Sequence, residues 1–297
     1  MPMPRATPIP SACGGLQGIA HRFCGQEKIN RVAALLAAPS EKENNNASTS
    51  GLETSVLEYG QHWDFRENLW RQSPELECWL LEEEPAQLAA DLLNSDKIWL
   101  LRDQTYFKPP GSEHTPWHQD ALFIPVEGCD FLTLWIPITP ILNQSDSPLE
   151  YWQPPHPSCH LLQGGSAIDS FHGYQQSWLR EDWQHISTLG LQPGDCSYHD
   201  GWTLHGSEGH HADVDRLAFV AVYGCGEGTL SLSPSMGHAP SSLRSQVQLL
   251  RQGLHQSCFQ GLMEGDPVPS HHNPWIRCCP NRTLPIHSTD RFSAENT

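Results

Sequence analysis

The sequence predicts a mainly β fold, a sandwich or barrel of short strands with helices flanking it. Three observations carry this. From about residue 95 to residue 225, short apolar runs are separated by Pro and Gly, the punctuation of an all-β domain. Within the first run, Ile98 and Leu100 alternate with Trp99 and Leu101, the period of two that puts successive side chains on opposite faces of a strand. Helical periodicity lies mainly outside these runs.

Residues 1–15 hold four prolines and little to bury, and are expected to be disordered. In 24–38, Ile29, Val32, Leu35 and Leu36 share one helical face. The stretch PSEKENNNASTSG, 39–51, is polar and low in complexity and reads as a surface loop. Residues 85–110 read as a helix, a break at Asn-Ser-Asp, then a strand. Further strands are expected at 117–123, 130–138, 147–153, 195–200 and 216–224. The span 163–192, with Trp178 and Trp183, reads as a loose lid over a pocket. Residues 240–262 carry a last helix, and 264–297 read as an irregular tail. The expected organisation is one domain over 16–297, with its β core at about 95–225 and a C-terminal helix and tail over 226–297.

The charge balance bounds the partners. With 17 Lys+Arg against 34 Asp+Glu, the formal charge is −17. Such a surface repels phosphate backbones and argues against nucleic acid. The ten cysteines form no CxxC pair, and Cys278 and Cys279 are adjacent, which reads as reduced thiols rather than a disulfide framework. No signal-like apolar segment and no run of 18 apolar residues is present. The expectation is a cytoplasmic protein that does not engage membranes and acts on a small molecule.

The chemistry gathers in two places. HTPWHQDALF, 114–123, places His118 and Asp120 two apart. On a strand both would face one side, a nitrogen and a carboxylate oxygen offered together. That is two-thirds of the two-His-one-carboxylate set that holds iron(II) with positions open. His205, at the end of GWTLH, is the candidate third ligand. Arg216 then heads the apolar run LAFVAVY. A buried guanidinium there requires an anion, and a hairpin would bring it beside His205 to grip a carboxylate. Ser207 is placed to add a hydroxyl to the same anion.

The ordered set FKPP, TPWHQD, LTLWIPI, SPLEYWQPPH, PGD, TLHGS and the arginine before an apolar strand resembles the phytanoyl-CoA dioxygenase family, from roughly Phe65 to Tyr223. A weaker similarity continues through EGDPVPSHHNPW, 264–275. The resemblance implies a double-stranded β-helix, the jelly-roll or cupin-like core, with helices around it. It implies an iron(II)- and 2-oxoglutarate-dependent dioxygenase, with O2 as second cosubstrate, whose His118, Asp120 and His205 hold the metal. Arg216 and Ser207 would then bind the far carboxylate of 2-oxoglutarate and Trp135 would line that pocket. Lys108 and Gln104, upstream of the motif, are further candidates to touch cosubstrate or substrate.

Two departures stand out. PPH occupies Pro154 to His156 where relatives commonly read GSH, and GHH occupies 209–211 where many carry Asn. Neither removes a ligand. Asp120 is intact, so hydroxylation or desaturation of a small, hydrophobic scaffold, as in secondary metabolism, is favoured over halogenation. The absence of a basic cluster in the sequence argues against a CoA ester. Two other readings use the same residues: a non-catalytic metal- or ligand-binding member of the fold, and a zinc hydrolase, which leaves Arg216 without a purpose.

Overall fold

The computed structural model describes residues 16–37, 64–153, 184–233 and 241–278. The 39–51 loop, residues 1–15, His156 and most of the expected lid, 163–183, lie outside the described residues. The elements in chain order are β1 (Gln17–Ala20), α1 (Gln26–Ala37), β2 (Asp64–Glu67), α2 (Pro74–Glu82), α3 (Glu84–Leu92), β3 (Lys97–Lys108), β4 (Thr115–His118), β5 (Val126–Glu127), β6 (Asp130–Pro137), β7 (Glu150–Gln153), β8 (Gln184–Ser187), β9 (Cys196–Asp200), β10 (Leu204–Ser207), β11 (Arg216–Cys225), β12 (Gly228–Leu230), α4 (Ser241–Cys258), β13 (Pro267–Val268) and β14 (Trp275–Arg277).

Two antiparallel sheets face each other. The larger has the order β1-β9-β6-β11-β3-β14, with β2 also on β3, and the smaller has the order β4-β10-β7-β8. A short third sheet, β13-β12-β5, lies apart. This is the jelly-roll expected from the resemblance. Alternation decides which side chains meet which layer. Phe219, Ala221 and Tyr223 of β11 pack with Ile98, Leu100, Leu132 and Leu134 against the helices. Ala218, Val220 and Val222 join Trp99, Leu101, Trp135 and Tyr151 between the sheets. Buried on both sides, the strand is an unbroken apolar run in sequence.

The helical layer is fixed by specific bonds. Ser73 caps α2 by accepting the Leu76 amide at 3.3 Å, with Pro74 at its first position. Trp79 of α2 is fully buried, 5.6 Å from the Phe219 ring, and its indole donates to Glu84 at 3.1 Å. The Tyr223 hydroxyl donates to the Leu80 carbonyl at 2.7 Å.

Three expectations need correction. The strand expected over 117–123 is β4, Thr115–His118, followed by a 3-10 turn at Asp120–Leu122. The lid span includes β8, which pairs with β7. The tail contributes β13 and β14, and β14 pairs with β3 from Trp275↔Trp99 to Arg277↔Lys97.

Trp79→Ala should destabilise the protein by about 3–5 kcal/mol. Urea denaturation followed by circular dichroism measures this; a loss below about 1 kcal/mol would contradict the packing role given to Trp79.

Candidate metal centre

Each candidate ligand is placed by a different device. His118 ends β4 and His205 lies on β10, directly opposite it in the antiparallel register. Their rings stand 4.1 Å apart, centroid to centroid. Past this pair the register slips by one residue between His205 and Ser207, the extra residue lying on β4, and at Gly206 a Cβ would lie 3.0 Å from the Thr115 carbonyl and from the Trp117 ring. Asp120 comes from the turn after β4. The Ala121 amide donates to Gly201 at 2.8 Å and the Phe123 amide to Asp120 at 2.9 Å, which closes that turn.

The turn is needed. Side chains two residues apart on a strand stand roughly 7 Å apart and point in parallel. Here Asp120 Oδ1 lies 3.5 Å from His118 Nε2 and 3.6 Å from His205 Nε2. One donor atom from each residue falls within 4.8 Å of the others, and this is the one such His/Cys/Asp/Glu group among the described residues.

The proton positions follow from the backbone. His118 Nδ1 is 2.7 Å from the Pro116 carbonyl, and His205 Nδ1 is 2.9 Å from the Thr203 carbonyl. A carbonyl only accepts, so each Nδ1 carries the proton and each Nε2 offers a lone pair. Burial, and then the neighbouring histidines, hold the His205 pKa well below the usual imidazole value. Two lone pairs and a carboxylate oxygen therefore face one point. Such a set is stabilised by a divalent cation, and two nitrogens with one oxygen suit iron(II).

Asp200 holds the turn that presents His205. Its Oδ1 accepts from the Trp202 amide at 3.0 Å and from the Thr203 hydroxyl at 2.9 Å, and its Oδ2 accepts from the Leu16 amide at 3.1 Å.

Linked to the triad strand through Ser207 lies a buried pair of basic residues. Lys108 and Arg216 are cross-strand partners, 0 % and 3 % exposed. Lys108 Nζ donates to Ser207 Oγ at 3.0 Å, to Ser147 Oγ at 3.1 Å and to the Glu208 carbonyl at 3.4 Å. Arg216 donates to the Ser147 carbonyl at 3.2 Å and lies 5.3 Å from the Trp135 ring, while its buried Nε has no partner among the described residues. Burial pushes the Arg216 pKa down to about 10. Burial, and then Arg216, push Lys108 down to about 6. The buried Arg216 guanidinium calls for an anion, and an anion there draws a proton onto Lys108 beside it. The hairpin expected to join His205 to Arg216 is not the link. β10 and β11 belong to different sheets, and contact runs from Arg216 through Ser147 and Lys108 to Ser207.

Gln104 sits further along the inward face of β3, in the cross-strand row of Val220 and Trp135, and accepts from the Tyr106 hydroxyl at 3.2 Å. The structure thus gathers His118, Asp120 and His205 at one point, Lys108, Ser207, Arg216 and Trp135 at another, and gives Gln104 a tyrosine partner. Sequence reasoning missed His199, whose Nε2 is 3.4 Å from Asp120 Oδ2, and Thr133, which donates to the same oxygen at 2.8 Å. It also missed Ser147 and Asp200. The alternation of Ser197 and His199 in CSYHD was the available signal for His199.

Comparisons with known proteins bear on the family and the fold. The family model for phytanoyl-CoA dioxygenase (PhyH) matches residues 19–218. Among solved structures the chain is similar to SnoK, a non-heme alpha-ketoglutarate-dependent carbocyclase from nogalamycin biosynthesis, at 18% identity over 90% of this chain and 94% of that one, with a TM-score of 0.61. It is similar to SnoN, an epimerase from the same biosynthesis, at 18% identity over 90% and 94%, with a TM-score of 0.62. SnoN has also been solved with Fe3+, alpha ketoglutarate and nogalamycin RO. At this identity the likeness establishes the fold. No curated protein matches the chain. Among the described residues, no helix is long and apolar enough to cross a membrane.

The low pKa of Lys108 predicts that anion binding at the Lys108–Arg216 pair depends on pH. With a pKa of about 6, Lys108 is mostly neutral at pH 7.5. A bound carboxylate favours its charged form, so anion binding takes up a proton between pH 6 and the raised pKa. Affinity for 2-oxoglutarate, measured anaerobically with iron(II), should fall by up to about tenfold per pH unit in that window. Calorimetry in two buffers of different ionisation enthalpy reads the uptake directly. An unchanged pH slope in Lys108→Met would contradict the role of Lys108.

Proposed function

The chain belongs to the phytanoyl-CoA dioxygenase family of iron(II)- and 2-oxoglutarate-dependent enzymes, and from that premise we propose how its residues divide the work. The observation that carries the proposal is the convergence of His118 Nε2, His205 Nε2 and Asp120 Oδ1, with both Nδ1 atoms tied to backbone carbonyls. These three residues would hold iron(II) by one side and leave the opposite side for cosubstrate and oxygen. Lys108, Arg216 and Ser207 would hold the anionic end of 2-oxoglutarate, with Trp135 against the guanidinium. When bound, the iron would combine 2-oxoglutarate with O2 to supply an oxidant that takes hydrogen from an unactivated C–H bond, one oxygen atom going to succinate as carbon dioxide leaves and the other to the substrate or to water.

The chain's own task is position and exclusion of water. Phe123, its ring centroid 6.0 Å from that of His118, would form an apolar wall at the reacting centre. The β3 face carries Tyr106, Gln104 and Arg102 as a polar wall. Specificity would lie in which C–H bond these walls bring nearest. We take the substrate to be a small, largely apolar organic scaffold of secondary metabolism, and the reaction to be hydroxylation or desaturation. A CoA ester fits poorly with a chain of net charge −17. The same triad suits zinc, but a hydrolase has no use for the buried Lys108–Arg216 pair.

Succinate release from 2-oxoglutarate, with and without candidate scaffolds, tests the assignment. His118→Ala, Asp120→Ala and His205→Ala should each reduce turnover to background. Arg216→Ala should raise KM for 2-oxoglutarate by about 10–100-fold, the loss of a charged hydrogen-bonding group, with a smaller effect on kcat. Full turnover in Asp120→Ala would overturn the triad.

A further inference from the structure

We infer that His199 is a positioning residue of the metal centre, donating its Nε2 proton to Asp120 Oδ2 so that Oδ1 alone is presented to the metal. The inference rests on the reading of His118, Asp120 and His205 as ligands.

The two oxygens of Asp120 live in different surroundings. Oδ1 faces the Nε2 atoms of His118 and His205 at 3.5 and 3.6 Å. Oδ2 faces the Thr133 hydroxyl at 2.8 Å and His199 Nε2 at 3.4 Å. Thr133 and His199 are themselves cross-strand partners on β6 and β9. One pair on the large sheet thus holds one carboxylate oxygen, while the small sheet and its turn supply the ligands.

His199 differs from the ligand histidines in one decisive respect. Those two have a carbonyl on Nδ1, which keeps the proton there and frees Nε2 to bind metal. Neither ring nitrogen of His199 has a hydrogen-bond partner among the described residues, so no carbonyl retains a proton on its Nδ1. The acceptor within reach is Asp120 Oδ2, and a buried imidazole gains by placing its proton toward that carboxylate. The ring is 1 % exposed, set 4.1 Å from the His205 ring and 5.1 Å from the Tyr151 ring. It is packed to stay where it is. With the ring held by its packing, a small reorientation of the Asp120 carboxylate aligns Oδ2, 3.4 Å away, with the Nε2–H.

Cobalt(II), whose visible ligand-field bands report its donor set, is the probe. It is titrated anaerobically into metal-free protein, with His118→Ala as the control that loses a ligand. His199→Phe should weaken cobalt affinity about 10–100-fold, the usual cost of losing a partner that orients a ligand, while the bands keep the wild-type positions. His199→Gln places an amide N–H where Nε2 was and should recover affinity to within about threefold of wild type. Should His199→Phe not fold, His199→Met fills the slot without a donor and replaces it. Wild-type affinity in the donorless variant, or equal losses in it and in His199→Gln, would overturn the inference. So would shifted bands in His199→Gln, which would make His199 a ligand. If wild-type protein binds no cobalt, the triad reading fails first and takes this inference with it.

Discussion

Two imidazole lone pairs and a carboxylate cannot point at one another at 3.5 Å without something positive between them. That constraint organises the rest of the molecule. The small sheet sets His118 against His205 by register. Backbone carbonyls fix which nitrogen of each is bare. The chain leaves its strand at Gln119 so that Asp120 can turn back toward both rings. The large sheet answers from across the interior with Thr133 and holds the remaining oxygen.

The second charge problem has the opposite sign and lies close by. Lys108 and Arg216 are placed together by pairing of β3 with β11, and Ser147 and Ser207 reach Lys108 from outside that sheet. Each cluster makes sense of the other. A cation bound at the triad and an anion lodged at the pair would neutralise both, and under the proposed function one chelating dicarboxylate would meet both needs. The two sheets are tied between them by the Tyr151 hydroxyl on Ser197, at 2.8 Å.

Much of this was legible in the sequence, for reasons that can be stated. The long strands β3, β6 and β11 announced themselves through period-two or unbroken apolar runs, and α1, α3 and α4 through helical spacing. The triad was legible because His-x-Asp and the later His bring rare side chains into apolar context, and because the order of motifs resembles a known family. The failures are equally physical. Asp120 was assigned to a strand because local spacing cannot reveal that Ala121 bonds to Gly201, 80 residues later. β14 and β8 are short, and their identity lies in the edges they pair with rather than in their own residues. His199 was one of 17 histidines, and only the register that sets it opposite Thr133 distinguishes it.

The account stands or falls on whether one molecule of 2-oxoglutarate bridges the triad and the Lys108–Arg216 pair. Under anaerobic conditions, iron(II) and then 2-oxoglutarate are added to metal-free protein, and the weak visible charge-transfer band of the chelated cosubstrate is followed. The predicted result is a saturable band in wild type, none in Asp120→Ala, and one that requires far more 2-oxoglutarate in Arg216→Ala. Tight zinc binding with no such band in wild type, or a band indifferent to Arg216→Ala, would contradict it.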